Sequence, residues 1–473
     1  MILSIGWKNV WRNKTRSLVV IIALILGIFG GVMASGIMQG WIIQRVHDVI
    51  YNEVSHVQIH NPQFLLNEEL QHSVVNPQKV FHTLDTMKSV IAYSPRVKIF
   101  AMVQSDWAAS GLVIKGVDPE REMKVSEIHK NLVEGEYLNG NHKVPSIVIG
   151  SKAAESLKLL NYQITRQKLD SIDRETYSFE LIKKLETIGD KRFRKDKDFR
   201  QVLKVCLSEK EFNLYADRLV KYFSFYRMNT SIRVTVQNRN GVIQNPVFKV
   251  RGIYKTNNSM FDGMTAYVNR NDLNYHTELD STEVHEIAII SSDDETGIVV
   301  GEKLAGYLPE NNVMSWQKLS PEAAMYGDFS SIIGYMYIII ILFALAFGII
   351  NTMLMSVLER FKELGMLMAI GMNRIKVFAM IMLESVFLSL TGGLAGLLVS
   401  GVIVHILSKT GIDLSMWAEG LEAIGYASVI YPFLTIDNYI TITLLVIFTG
   451  MVASIWPARR ALKLNPAEAL RTE

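Results

Sequence analysis

Four long apolar runs dominate the hydrophobic pattern of this chain. Residues 17–44, 329–358 and 438–458 contain no charged side chain, and residues 377–408 contain one, Glu384. A bilayer core about 30 Å thick takes about 20 apolar residues in a helix, so each run predicts a membrane-spanning helix. The first lacks a small-residue cleavage site followed by polar sequence, and is expected to stay as an anchor rather than be removed as a signal. Over residues 45–328 the pattern changes to short β-type alternation mixed with helical periodicity. The expected fold class is an α-helical integral membrane protein with four transmembrane helices (1+3). A large extracytoplasmic α/β domain is expected between helices one and two.

The Lys/Arg flanks orient the runs. Lys8, Arg12, Lys14 and Arg16 precede the first; Arg360, Lys362, Arg374 and Lys376 lie between the second and third; Arg459, Arg460, Lys463 and Arg471 follow the fourth. The segment between runs three and four, residues 409–437, has only Lys409 against Asp413, Glu419, Glu422 and Asp437. Both termini (1–16 and 459–473) and the segment 359–376 are therefore expected in the cytoplasm of a plasma or inner membrane, and residues 45–328 outside.

In the outside domain, Ser110–Asp118 ("SGLVIKGVD") predicts a strand, and Ser146–Leu160 predicts a strand running into a helix. Ser231–Tyr254 predicts a hairpin turning at Asn240-Gly241, a pair suited to a type I′ turn. "AYVNR" after Gly263, "EIAIISS" from Glu286 and a helix over Glu295–Tyr307 complete a mostly antiparallel α/β pattern. Residues 161–230 break it. This stretch is charged and helix-prone, and its "DKRFRKDKDFRQ" sets six basic residues against three acids. It reads as a helical insertion, either a solvated subdomain or a docking surface for a soluble partner or anionic headgroups.

Composition narrows the chemistry. A net charge of +3 over 473 residues leaves no nucleic-acid footprint. Mean hydropathy is positive, +0.19, although 20% of residues are charged, as expected when membrane segments are joined to a polar domain. Cys206 is the only cysteine, which excludes an internal disulfide and a Cys-rich metal site. His56 and His60 of "HVQIH" would lie about 13 Å apart on one strand face, too far to share a metal. No nucleophile elbow, metal-spaced His-Glu pair or phosphate loop is present. "GIVVGEKL" (Gly297–Leu304) lacks the P-loop spacing. No catalytic residue, metal or cofactor is expected in this chain.

Glycines at helical spacing (Gly27 with Gly31, Gly36 with Gly40, Gly392 with Gly396) permit close helix approach, within the chain or between two copies. Nearly uncharged spans make a poor ion pathway. Glu384 lies near the cytoplasmic boundary, where it could snorkel or pair with a base.

"ERFKELGMLMAIGMNR" (Glu359–Arg374) joins runs two and three. As a helix it would stack Phe361, Leu364, Met368 and Ile375 in one stripe. An amphipathic helix held between two spans would pass force to both; a helix resting among headgroups is the alternative. The segment resembles the cytoplasmic motif of FtsX-like (MacB-like) ABC transporter permeases, in which Arg, Glu-x-Gly and Ala-x-Gly recur at this spacing. "WPARRALKLNPAEALR" (Trp456–Arg471) resembles that family's terminal signature, and "GWKNVWRNKTRS" (Gly6–Ser17) its amphipathic entry helix. The resemblance implies a coupling helix seated on a separate ATP-binding subunit, with Glu359, Arg360, Glu363, Gly365, Ala369 and Gly371 at the contact. It also implies ATP and Mg on that partner, none bound by this chain, and a second permease in a homo- or heterodimer.

Within the family, "HVQIH", "SPRVKIFAMV" (Ser94–Val103), "VIKGVDPERE" (Val113–Glu122), "VRGIYKTNNSMFD" (Val250–Asp262) and "SWQKLSPE" (Ser315–Glu322) resemble the lipoprotein-releasing branch. That resemblance implies extraction of acylated lipoproteins to a periplasmic carrier, with Met33, Ile37, Trp41, Ile333 and Met336 lining an acyl-chain cavity. The short hairpin loop at Asn238–Pro246 and the insertion depart from that branch. MacB-like export through an adaptor and outer-membrane tunnel remains open, as does regulatory mechanotransmission to a hydrolase or sensor kinase.

Overall fold

The computed structural model describes residues 7, 11, 14–139, 144–172 and 177–462. Most of the expected entry helix, including Lys8 and Arg12, lies outside the described residues, as do Lys463 and Arg471 of the tail. The chain divides into two compact units. One holds the chain up to Val46, Glu322–Ala418 and the chain from Ala427 onward; the other holds His47–Pro321 together with Glu419–Tyr426.

The first unit is built on the helices Lys14–Asp48, Pro321–Glu359, Arg374–Thr410 and Ile436–Leu462. Four spans within these helices are long and apolar enough to cross a membrane. Their shared core includes Leu24, Ile28, Leu345, Ile349, Met380, Ile442 and Val446. The glycine pairs are occupied within the chain. A Cβ at Gly27 would meet Leu345, one at Gly392 would meet Leu24, and one at Gly396 would meet Ile28. Small residues here let neighbouring helices of one chain come close.

The second unit is a large mixed α/β domain. Its strands in chain order are β1 (Val57–His60), β2 (Val90–Gln104), β3 (Ala109–Val117), β4 (Leu132–Gly135), β5 (Ser146–Gly150), β6 (Leu160–Gln163) and β7 (Arg192–Phe193), then β8 (Ser224–Tyr226), β9 (Ser231–Gln237), β10 (Ile243–Gln244), β11 (Val247–Tyr254), β12 (Thr265–Asn269), β13 (Glu286–Ser291) and β14 (Asn312–Ser315). Eleven of them form one sheet ordered β10-β9-β11-β5-β12-β3-β2-β13-β1-β14, with β4 on β11. Among the described residues only β5 with β11 and β3 with β12 pair in parallel, so the expected antiparallel majority holds.

Strand β2 also pairs with β9, through Met102 to Thr235 and Gln104 to Arg233. The path β9-β11-β5-β12-β3-β2 therefore closes on itself around Val97, Ile99, Leu112, Ile149, Val234 and Phe248. Alternation makes this possible: Ile232, Val234 and Val236 point into the core while Arg233 and Gln237 remain exposed. Closure was not legible beforehand, because it depends on which distant strands meet.

One local expectation needs correction. The turn after β9 is not type I′, which would need positive φ at both central residues. Gly241 has φ +81 but Asn240 does not share the left-handed region. The Gly241 N–H donates to the Asn238 carbonyl at 3.0 Å, and the Asn238 side chain accepts from Asn240 and Val242. This is a type I turn closed by a left-handed glycine, and across it the Asn238 N–H donates to the Val242 carbonyl at 2.9 Å. "GIVVGEKL", read as no P-loop, falls in the helix expected over Glu295–Tyr307, which runs Asp294–Tyr307 and is capped by Asp293. A Cβ at Gly297 would meet His56 at 2.9 Å. The glycines serve packing.

The stretch expected to be purely helical also contains strands. Helices Phe179–Glu186, Asp196–Cys206 and Glu209–Tyr222 pack with a separate sheet ordered β7-β6-β8. They enclose their own core of Leu181, Leu185, Phe199, Leu203, Leu219 and Phe223. Ser208 and Glu211 form a capping box at the third helix. Strands of two to four residues carry too little periodicity to be read from sequence.

Glu419–Tyr426 is held in this unit by ion pairs. Lys255 reaches Glu422 at 2.7 Å, and Lys221 reaches Glu419 at 3.4 Å. Both acids help wall a cavity of about 690 Å³, with Lys152, Lys168 and Tyr226 also on its lining.

Candidate coupling segment and intramembrane cavity

The segment between the second and third long helices is a built element. The second helix ends at Glu359, and Arg360, at φ −97 and ψ 17, turns the chain into the helix Phe361–Ala369. That helix closes in a Schellman motif: Met372 N–H donates to the Leu367 carbonyl and Gly371 N–H to the Met368 carbonyl. Gly371 has φ +100, where a side chain would be strained. Asn373 then caps the third long helix by accepting from Ile375 N–H at 3.0 Å.

This stop at Gly371 corrects the expected stripe. Leu364 is buried, with Leu367 and Met368 packed against the same core. Ile375 belongs to the next helix and is 73% exposed. The Phe361 side chain lies outside what is described. Glu359, Ala369 and Gly371 are exposed, Arg360 and Glu363 are half-buried, and Gly365 is buried. With Met366 and Ile370 also exposed, the solvent side of the turn presents Met366, Ala369, Ile370, Gly371 and Ile375. This small apolar surface is flanked by the charges of Glu359 and Lys362.

Arg360 ties the segment to the third helix. Its Nε donates to Glu363 Oε2 and its Nη1 to Glu384 Oε2, both at 3.2 Å. Glu384, the charge within an apolar run, thus has the basic partner that one of its two sequence readings foresaw. A carboxylate in an apolar span is costly unless paired, and here the cation comes from the connecting segment.

A cavity of about 170 Å³ lies among the first, second and fourth long helices. Ser35, Met38, Gln39, Tyr335, Asn438 and Thr441 help line it, and Asn438 donates to Gln39 at 3.0 Å. The five residues expected at an acyl-chain cavity fall elsewhere. Met33 and Ile37 are half-buried on neighbouring positions, Trp41 reaches the Ala427 carbonyl at 3.4 Å, and Ile333 and Met336 are exposed. Among the described residues no group of His, Cys, Asp and Glu could hold a metal ion.

Residues 335–466 match the family model described as the FtsX-like permease C-terminal. The chain is 37% identical over 134 residues to the uncharacterized ABC transporter permease MJ1507 of Methanocaldococcus jannaschii, covering 27% of this chain and 29% of that one. It is 35% identical over 143 residues to the macrolide export ATP-binding/permease protein MacB of Sodalis glossinidius, covering 30% of this chain and 20% of that one. The chain thus spans less than a third of the length of these curated relatives. The periplasmic region of MacB from Actinobacillus actinomycetemcomitans aligns at 9% identity and a TM-score of 0.32 over 59% of this chain, a likeness too slight to bear on the fold. The matched region takes in the connecting segment Glu359–Arg374 and the third and fourth long helices.

Proposed function

We propose that this chain is a permease subunit of an ABC transporter, receiving motion from a separate ATP-binding subunit at Glu359–Arg374 and passing it to the outside domain. The observation that carries this reading is the coupling segment itself. It is a short capped helix held between two long apolar helices, with an exposed apolar turn on one side and the Arg360–Glu384 pair on the other. Such an element can seat in a groove of a partner while remaining fastened to the third helix. The Lys/Arg distribution supports a cytoplasmic position for it.

For cargo, we infer acylated lipoproteins, released from the inner membrane to a periplasmic carrier. The support is the set of outside-domain stretches noted above, "HVQIH" and "VRGIYKTNNSMFD" among them. Exposing acyl chains to water costs about 0.8 kcal/mol per CH₂, so release needs an energy source. A second reading, export of small substrates, is favoured by relatives named for macrolide export.

Purification from the native membrane in mild detergent, followed by mass spectrometry, tests both levels. An ATP-binding subunit with lipoproteins or their carrier supports the first cargo. The same subunit with an adaptor and outer-membrane tunnel replaces it with the second. Recovery of no ATP-binding subunit overturns the permease reading. Glu359→Lys combined with Ile370→Asp is expected to abolish that association while leaving membrane insertion intact.

A further inference from the structure

The small sheet β7-β6-β8 has one face in its own core and one face outside it. Directly opposed residues of antiparallel strands share a face, and Tyr162 opposite Phe193 belongs to the core. On the other face Gln163 stands opposite Arg192, Asn161 stands opposite Phe225, and Arg227 follows two residues later. The Arg192 guanidinium lies over the Phe225 ring at 5.0 Å. The Arg227 guanidinium lies over the Trp107 ring at 4.1 Å, so the connection between β2 and β3 covers this part of the face.

Arg227 is only 8% exposed. Its Nε donates to Asn161 Oδ1 at 2.7 Å and its Nη2 to the Arg194 carbonyl at 2.6 Å. Its Nη1 is buried with no hydrogen-bond partner. Every acceptor it has is neutral. Among the described residues neither Arg227, Arg192 nor Arg194 has a carboxylate partner. Asp196 and Asp217 hold Arg200 instead, and Asp190 is engaged with Gln163 through its carbonyl. The Arg227 pKa is lowered, first by burial and then by the charges of Arg194 and Arg192. A buried cation beside two like charges is costly without a counter-ion. Guanidinium forks match the oxygens of a phosphate or carboxylate. Three such groups suit a tetrahedral dianion with oxygens in several directions better than a carboxylate with two.

We propose that Arg192, Arg194 and Arg227 form an oxyanion site for a phosphate group, with Trp107 as its movable cover. The anion enters from the side of Arg192 and Arg194, both exposed. It reaches the idle Nη1 of Arg227 as Trp107, 38% exposed, swings away. Phosphate could come from solution or from an anionic lipid headgroup. The site goes beyond the permease reading and stands whether or not an ATP-binding subunit is found.

The test uses the purified full chain in detergent, titrated with inorganic phosphate against chloride at matched ionic strength. Indole fluorescence and Tm are followed together. A saturable rise in Tm with a fluorescence change is expected. Trp107→Phe should lose the fluorescence change and keep the Tm rise. Arg192→Ala with Arg194→Ala, both on the surface, should weaken half-saturation by about 10-fold or more, and Arg227→Gln should abolish the response. In nanodiscs of phosphatidylglycerol, disappearance of the phosphate response marks the headgroup as the source. Its persistence marks free phosphate. A wild-type Tm in detergent that responds alike to phosphate and chloride overturns the proposal, as does an undiminished response in the double variant.

Discussion

Arg96 and Arg227 are both buried arginines of the α/β unit, and their surroundings are opposite. Arg96 donates to Glu122 through Nε and Nη2 and to Glu286 through Nη1 at 2.5 Å, and all three side chains are at most 3% exposed. Arg227 has two backbone carbonyls, one amide oxygen and an aromatic ring. The first is a completed lock inside the sheet, joining β2 to β13 and to the helix Pro119–Glu122. The second is a lock without its key. Burial alone therefore does not say what a charged residue is for; the sign and number of its neighbours do.

Substitutions can break this comparison. The largest effect is expected at Arg96. Arg96→Gln leaves two carboxylates buried without their cation and should cost about 3–5 kcal/mol, read by chemical denaturation of the full chain. A loss no greater than that of Arg227→Gln would erase the distinction drawn here.

The pH dependence sharpens it next. Burial works to raise the Glu286 carboxyl, but Lys115 and Arg96 overcome it and hold it at about 2. Its folded pKa is below the unfolded value, so its stabilisation is present above about pH 4.5 and is lost as pH falls toward 2. Asp262 runs the other way. Burial pushes it up to about 7, against donors from Thr256 and Ser151. The folded state then keeps a proton that the unfolded state has released, so stability falls as pH rises from about 4 to 7. Glu286→Gln should flatten the acid limb and Asp262→Asn the limb from 4 to 7, measured as Tm against pH.

Smaller effects complete the series. Arg360→Gln strips Glu384 of a charged donor at a partly exposed pair and should cost about 1.5–3 kcal/mol, visible as a lower Tm. Arg227→Gln gives up hydrogen bonds worth about 1 kcal/mol each but also removes an uncompensated charge. In phosphate-free buffer its Tm should fall least of the three arginine variants.

The sequence pattern made some of this legible. Long charge-free runs report membrane-crossing length whatever their neighbours do, and β9, β12 and β13 appear as alternation or as short apolar runs. The segment Glu359–Arg374 stood out through its charges between two apolar runs, while its actual ending is set by Gly371 at positive φ and the Asn373 cap. The stripe through Ile375 failed because periodicity was carried across a glycine that reverses the chain. The closed strand path, the Arg96 lock and the Trp107–Arg227 stack were illegible for a common reason. Each joins residues separated by at least a couple of dozen positions, and pairing at that range is decided by the packed core rather than by local spacing.

The residues Glu419–Tyr426 have a practical meaning for anyone who cuts the protein. A soluble fragment spanning His47–Pro321 alone would contain every strand of the large sheet and would look complete by chain continuity. It would still lack one wall, because Lys255 would lose Glu422 and the cavity beside Tyr226 would open to water. Ligand or partner studies on such a fragment would report on an altered surface, and a graft restoring 419–426 through a linker would be the more faithful reagent.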